Sequence, residues 1–168
     1  VGHNRRSGAA MMEFIRLVHV AREKGADRNI LVDRTDEVHE DQSAIDGEKM
    51  QTLIRVNDDV RSWKGWAFDY EAGIFHAEMV HFIDIALLIN KAKPAQVFAS
   101  GSPDGNFTQI IDFEDGSQAT LFHTRVGNFD YPKELFETSV KNVTIVNDHH
   151  LEVRQRGLEN EPFRSKFK

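Results

Sequence analysis

The sequence predicts an α+β domain: an open, predominantly antiparallel β-sheet with helices packed on one face. Three observations carry this. Two segments within the first 90 residues place apolar side chains at helical spacing. From Gln96 onward the chain becomes a run of short β segments separated by turn residues. Successive hairpins of that kind imply antiparallel pairing.

Ser7 or Gly8 can open the first helix, which runs to about Lys24. Met11, Phe14, Ile15 and Val18 form its apolar stripe, and Gly25 is its stop. Residues 26–48 are rich in Asp, Glu and Arg, poor in core residues, and read as an insertion or loop. Met50–Val56 reads as a strand. A tryptophan-containing loop, Trp63–Gly73, leads into a second helix from about Ile74 to Asn90. That helix is apolar on nearly every side and is expected to be buried, with Pro94 marking the break after it.

The β segments come next. They are VFAS, FTQIIDF and SQATLFHTRV, with turns at Ser102–Asn106 and at Glu114-Asp115-Gly116. Leu135–Val140 and Val143–Val146 follow, joined at Lys141-Asn142, and Leu151–Arg154 offers one more. Residues 158–168 read as a tail. Ile110 and Ile111, like Leu121 and Phe122, must point to opposite faces of the sheet. Both faces therefore need cover, one by the helices and the other by a partner.

Composition narrows the function. At 168 residues, 40% hydrophobic and 29% charged, the chain suits one folded domain. A net charge of −6 argues against a dedicated nucleic-acid binder. With no cysteine there is no disulfide, no thiolate nucleophile and no cysteine-ligated zinc. Phe82–Ile89, the longest greasy run, is too short to cross a bilayer, and nothing near Val1 resembles a signal peptide. A cytoplasmic location with no membrane partner is the expectation.

The densest polar constellation lies in the second helix: His76, Glu78, His81 and Asp84. In a regular helix Glu78 and Asp84, three residues either side of His81, flank it on nearly one face. A carboxylate beside an imidazole orients it and raises its pKa, as a general acid/base near neutrality requires. The plainer reading is a structural network on the helix surface. A metal is the rival, since Glu-x-x-His is half of a di-iron motif, but a second copy is missing. Asp148-His149-His150 and His39-Glu40-Asp41 are two further clusters. Adjacent histidines on a strand point to opposite faces, so His149 and His150 cannot easily share an ion, and no metal is assigned. Trp63 and Trp66 could stack on a sugar or a base, or plug a core edge.

The order of these motifs is more specific than any one of them. VGHNRR, an amphipathic helix, a W…D…(A/G)G loop, a buried helix with a central His and HFID, then Pro-x-x-V and a long antiparallel sheet with DGS follow in turn. This arrangement resembles the C-terminal domain of the Gfo/Idh/MocA oxidoreductases, the glucose–fructose oxidoreductase and inositol dehydrogenase family. The likeness runs from Val1 to about Arg154, apart from 26–48.

The resemblance implies half of an NAD- or NADP-dependent enzyme acting on a sugar, a polyol or a related small molecule. Residues 1–6 would end a strand crossing from an N-terminal Rossmann domain, which would hold the cofactor. Residues 7–157 would be the substrate-binding and oligomerisation domain, forming a homodimer or tetramer through the sheet face. On this resemblance His81 matches the family's proton-exchanging histidine. Glu78 stands one position after the family's usual Asp, where this chain has Ala77, and either contacts substrate or orients His81. Trp66, Asp69, Asp84 and Arg5 become substrate-side candidates, and Asn4 and Arg6 cofactor-side candidates. The alternative is a non-catalytic oligomerisation or sugar-binding module with the same fold.

Overall fold

The computed structural model describes residues 4–26, 49–63, 65, 73–102 and 104–168. Of the segment expected to end a crossing strand, Asn4–Ser7 forms a 3-10 turn rather than a strand. Helix α1, Ala9–Lys24, follows it after an extended Gly8. Its buried stripe is Ala10, Met11, Phe14, Leu17, Val18 and Ala21, the three- and four-residue spacing that puts side chains on one face. Gly25, at a φ of 72°, ends it and donates its N–H to the Ala21 carbonyl.

The second helical segment has two parts. Phe75–Met79 is a π-helical turn, and α2, Val80–Asn90, continues it as a regular α-helix. Phe82, Ile85, Ala86 and Ile89 are buried, but Leu87 is exposed and Ile83 and Leu88 are half-buried. Full burial was expected from the composition. A helix resting on one sheet face buries only the stripe toward it, so the opposite side stays open. Arg22 of α1 donates to the Asn90 carbonyl at the end of α2 and to Asp115 Oδ2 at 2.6 Å. One guanidinium thus ties both helix ends to a sheet turn, where a cation also complements the helix dipole.

Among the described residues eight strands form one sheet: β1 Gln51–Asn57, β2 Pro94–Ser102, β3 Asn106–Phe113, β4 Gln118–Thr124, β5 Glu134–Val140, β6 Val143–Asp148, β7 Glu152–Arg156 and β8 Arg164–Lys166. Their order across the sheet is β2-β3-β4-β1-β5-β6-β7-β8. Every pairing is antiparallel except β1 with β4. The hairpin runs foreseen from sequence are present, but β1 is threaded between them and lies parallel to β4. Helix α1 lies over β5, β6 and β7, and α2 over β4. The core between them includes Phe14, Ile54, Phe82, Leu121, Phe136 and Ile145.

Strand parity follows the alternation. On β3, Phe107, Gln109, Ile111 and Phe113 face inward; on β4, Ala119, Leu121 and His123 do. Lys141-Asn142 and His149-His150 both take positive φ at two successive residues, the signature of type I′ hairpins. His149 and His150 are therefore turn residues, not strand residues as the sequence suggested. The expected tail also proves structured: β8 pairs with β7, and Leu158 is buried. Gln155 organises it, donating to the Leu158 and Glu161 carbonyls and accepting from the Leu158 N–H.

Gly101 marks a close approach of backbones. Its φ is 115°, and a Cβ there would sit 2.3 Å from the Asn106 carbonyl oxygen and 2.6 Å from Phe107 Cα. Backbone cannot swing aside as a side chain can. Gly101→Ala is expected to destabilise the fold by about 1–3 kcal/mol, read as a lower midpoint in urea unfolding; an unchanged midpoint would show that β2 can relax.

Candidate functional site

One end of the sheet gathers the charged residues. The parallel pairing brings the C-terminal ends of β1 and β4 side by side, and antiparallel β5 begins at the same edge. The Asp58 N–H bonds the Thr124 carbonyl at 2.9 Å, and the Asn57 N–H bonds the Lys133 carbonyl at 2.7 Å. These two bonds set Asp58 and Lys133 beside each other. The Lys133 ammonium lies 2.9 Å from Asp58 Oδ2 and 3.2 Å from Glu78 Oε1.

Glu78 comes from the π-helical turn and also pairs with Arg5. Arg5 donates through Nε to Glu134 Oε1 at 3.0 Å and lies 4.7 Å from the centroid of the Phe82 ring. Glu134 accepts a second bond, from His150 Nε2 at 2.6 Å. The result is a continuous chain: Asp58, Lys133, Glu78, Arg5, Glu134, His150. Lysine, arginine and a histidine ring nitrogen alternate with the carboxylates in this line and satisfy acceptors that burial would otherwise penalise.

The charges shift one another. Burial works to raise the Glu134 pKa, but the His150 hydrogen bond and the Arg5 charge hold it below the usual glutamate value. Burial opposes the Lys133 ammonium, yet Glu78 and Asp58 carry its pKa above that of an ordinary lysine. His123, fully buried at the end of β4, stacks on Phe107 with ring centroids 5.2 Å apart. Its Nδ1–H donates to the Gly105 carbonyl, leaving Nε2 as an acceptor without a hydrogen-bond partner among the described residues. Burial pushes its pKa down, favouring the neutral ring.

The regular-helix alignment of Glu78, His81 and Asp84 is altered by the π turn, which adds a residue to the turn holding Glu78. His81, half-buried, and Asp84 stand in regular α2. Arg6 grips Asp84 with two nitrogens, one of them at 2.9 Å. The Asn4–Ser7 turn therefore holds this helical segment twice, Arg5 on Glu78 and Arg6 on Asp84. Asn4, Arg5 and His150 also line a cleft of about 420 Å³. Trp66, Asp69 and Ala72 lie outside the described residues.

Sequence reasoning missed Asp58, Lys133, Glu134 and His123, and weighed His150 only as a metal ligand. A signal existed for two of them. Glu134 shares the inward parity of Phe136, Thr138 and Val140, and His123 that of Leu121. An ionisable residue on the buried side of an alternating strand calls for a partner. Asp58 and Lys133 follow and precede strands and carried no such mark. Among the described residues no group of three His, Asp or Glu could hold a metal ion, and no helix is long and apolar enough to cross a membrane.

Neither a protein-family model nor a curated protein matches the sequence. Solved structures do match the fold. Levoglucosan dehydrogenase, in complex with NADH and L-sorbose, superposes with a TM-score of 0.62 at 14% identity, over 98% of this chain and 44% of its own. In fold, this chain resembles the C-terminal domain of Gfo/Idh/MocA oxidoreductases. UDP-N-acetylglucosamine 3-dehydrogenase from Acidithiobacillus ferrooxidans gives a TM-score of 0.56 at 18% identity, covering 99% of this chain and 46% of that one. An oxidoreductase from Thermotoga maritima gives 0.60 at 17%, covering 100% and 46%. The chain spans less than half the length of these three proteins. What it shares with the Gfo/Idh/MocA structures at such identities is the fold: an open, mostly antiparallel sheet with helices on one face.

Proposed function

We propose that this chain is the substrate-side domain of an NAD(P)-dependent oxidoreductase acting on a sugar or polyol, with His81 exchanging the proton. The observation that carries this reading is the superposition of nearly the whole chain on less than half of dehydrogenases, one of them a complex with NADH and L-sorbose. The described residues contain no βαβ unit with a phosphate-binding turn, so they do not fit the whole dinucleotide. It is assigned to a preceding Rossmann domain, with Asn4 and Arg6 the candidates to touch it from this side. When bound, NAD(P) supplies the hydride chemistry.

The work of this chain is then to bind and orient the substrate and to handle the hydroxyl proton. His81 takes that proton on oxidation and returns it on reduction. Glu78 is engaged by Arg5 and Lys133, which supports a positioning role, holding the turn that precedes α2, over direct contact with substrate. Arg6 on Asp84 supports the same role one stretch further along. Trp66 and Asp69, which precede the π turn in sequence, remain substrate-side candidates. Exposed Phe98, Leu53 and Phe122 stand on the sheet face away from the helices, which supports assembly of a homodimer or tetramer through that face.

In the protein carrying this chain together with its cofactor domain, His81→Ala is expected to lower kcat by about 100-fold or more. Cofactor affinity, followed by the fluorescence of bound NADH, should stay unchanged. An unaltered kcat would remove His81 from the mechanism. Sugar binding with no hydride transfer to either NAD or NADP would instead favour the non-catalytic module.

A further inference from the structure

Among the described residues the sheet ends on two edges of opposite character. At one, β8 is 3 residues long and reads Arg164-Ser165-Lys166. A short strand with two cations discourages any further strand from pairing with it. At the other, β2 runs for 9 residues as PAQVFASGS and carries no charge. Pro94 and the register shift between Pro94 and Gln96 protect only its first end. From Gln96 to Ser102 its pairing with β3 is uninterrupted.

The outward side of that stretch is open. Alternate residues of an edge strand turn their N–H and C=O groups away from the sheet. Between Gln96 and Gly101 the described residues supply no backbone hydrogen bond beyond the ladder with β3. Both faces are open too. Val97 pairs with buried Ile111 and shares its inward parity, yet it is 56% exposed. Helix α1 lies over β5, β6 and β7 and α2 over β4, which leaves this edge uncovered. Phe98, of outward parity, is 50% exposed.

An uncharged, partly apolar edge is a template for another strand, and the sequence of β2 selects which. In antiparallel pairing of β2 with its own copy, a two-fold axis at Phe98 sets Val97 opposite Ala99 and Gln96 opposite Ser100. Apolar meets apolar and polar meets polar, and no like charges face each other. The same register carries Lys91 and Lys93, just before the strand, toward the β2–β3 turn of the other copy, where Asp104 stands. All three are exposed. The strand is thus basic at one end and acidic at the other, which favours antiparallel self-pairing and opposes a parallel one. A contact of this kind uses up both edges and closes at two copies.

We propose that β2 is a homotypic docking edge, through which two copies of this chain pair β2 to β2 antiparallel and continue the sheet across a two-fold axis. The contact is separate from assembly through the outer sheet face, and it does not rest on the enzymatic reading.

The test joins sedimentation of the 168-residue chain, over about a hundred-fold range in concentration, with hydrogen–deuterium exchange. Association is expected, with slowed exchange in β2 as the dimer forms. Val97→Lys, at a position already exposed in the single chain, puts like charges on both sides of the axis. It is expected to weaken association at least about ten-fold without lowering the Tm of the dilute protein. Lys93→Glu and Asp104→Lys should each weaken association, and the double variant should restore it. Phe122→Lys, on the outer face, is the control and should leave the β2 protection in place. A chain that stays monomeric over that range would overturn the proposal, as would a dimer whose β2 amides exchange at the monomer's rate. Association lost in Phe122→Lys but kept in Val97→Lys would do the same, by placing the contact on the outer face. In the protein carrying its cofactor domain, β2 amides protected in the monomer would mean that another segment covers the edge, and would overturn it as well.

Discussion

Arg5→Ala is expected to lower the unfolding free energy by about 3–5 kcal/mol. The side chain of Arg5 is only 18% exposed, and it bridges two carboxylates from distant parts of the chain, Glu78 and Glu134. Removing it takes one partner from each in a half-dry environment, where that loss costs far more than the pair contributes in water. Lys133 still reaches Glu78 and His150 still reaches Glu134, so the lower part of that range is expected. The neighbouring Arg6 supplies the control. It pairs with Asp84 at an end where its own side chain is 41% exposed, and Arg6→Ala should cost no more than about 1 kcal/mol. Urea unfolding followed by circular dichroism checks both, and equal losses would mean that the Arg5 bridge is solvated.

The same network makes stability depend on pH in two directions. The folded pKa of Glu134 lies below its ordinary value. Its contribution is therefore present above that ordinary value and is lost as pH falls through the folded one. The folded pKa of Lys133 lies above its ordinary value. Its contribution is present below the ordinary lysine value and is lost as pH rises through the folded one. In Arg5→Ala the Glu134 pKa should move back up, so the acid loss of stability becomes shallower than in the wild type. An acid limb with the same slope would exclude Glu134 as its source.

Phe136→Ala should cost about 3–5 kcal/mol as well, by a different route. The ring is fully buried near the middle of the sheet, with centroids 6.1 Å from Phe14 of α1 and 6.0 Å from Phe82 of α2. His150 meets it edge-on at 5.6 Å. One side chain thus joins both helices to β5 and touches the ion network. Truncation removes its transfer free energy and leaves a cavity that three separate elements cannot easily collapse together. For a domain of this size the loss corresponds to a fall in Tm on the order of 10 °C. Phe122→Ala, on the outer face at 41% exposure, should change the monomer's stability by less than about 1 kcal/mol. A larger, concentration-dependent loss for Phe122→Ala would point to a subunit contact on that face.

Much of this molecule was legible locally. Helix α1 begins after Gly8 and stops at Gly25 because an apolar stripe and a glycine stop act within a few residues of each other. The strands fall where alternation places them, and Lys141-Asn142 makes its turn where a short link between β runs had to turn. His81 on the second helical segment was likewise visible, since a central imidazole among apolar neighbours is a strictly local pattern.

What the tertiary structure alone decided are relations between distant segments. Strand β1 entered the middle of the sheet, parallel to β4, though its own pattern suits either neighbour and either direction. Arg5 found Glu78, 73 residues away, and Glu134, 129 residues away. Glu78, in the π turn, found partners across the domain in Arg5 and Lys133, and β8 formed because β7 offered an edge. The physical reason is one of range. Backbone geometry sets periodicity within a turn or two, whereas the cost of closing a loop grows only slowly with its length. Local sequence therefore determined the two main helices and most of the strands here, and β8 and the choice of partners were left to the packing of the whole chain.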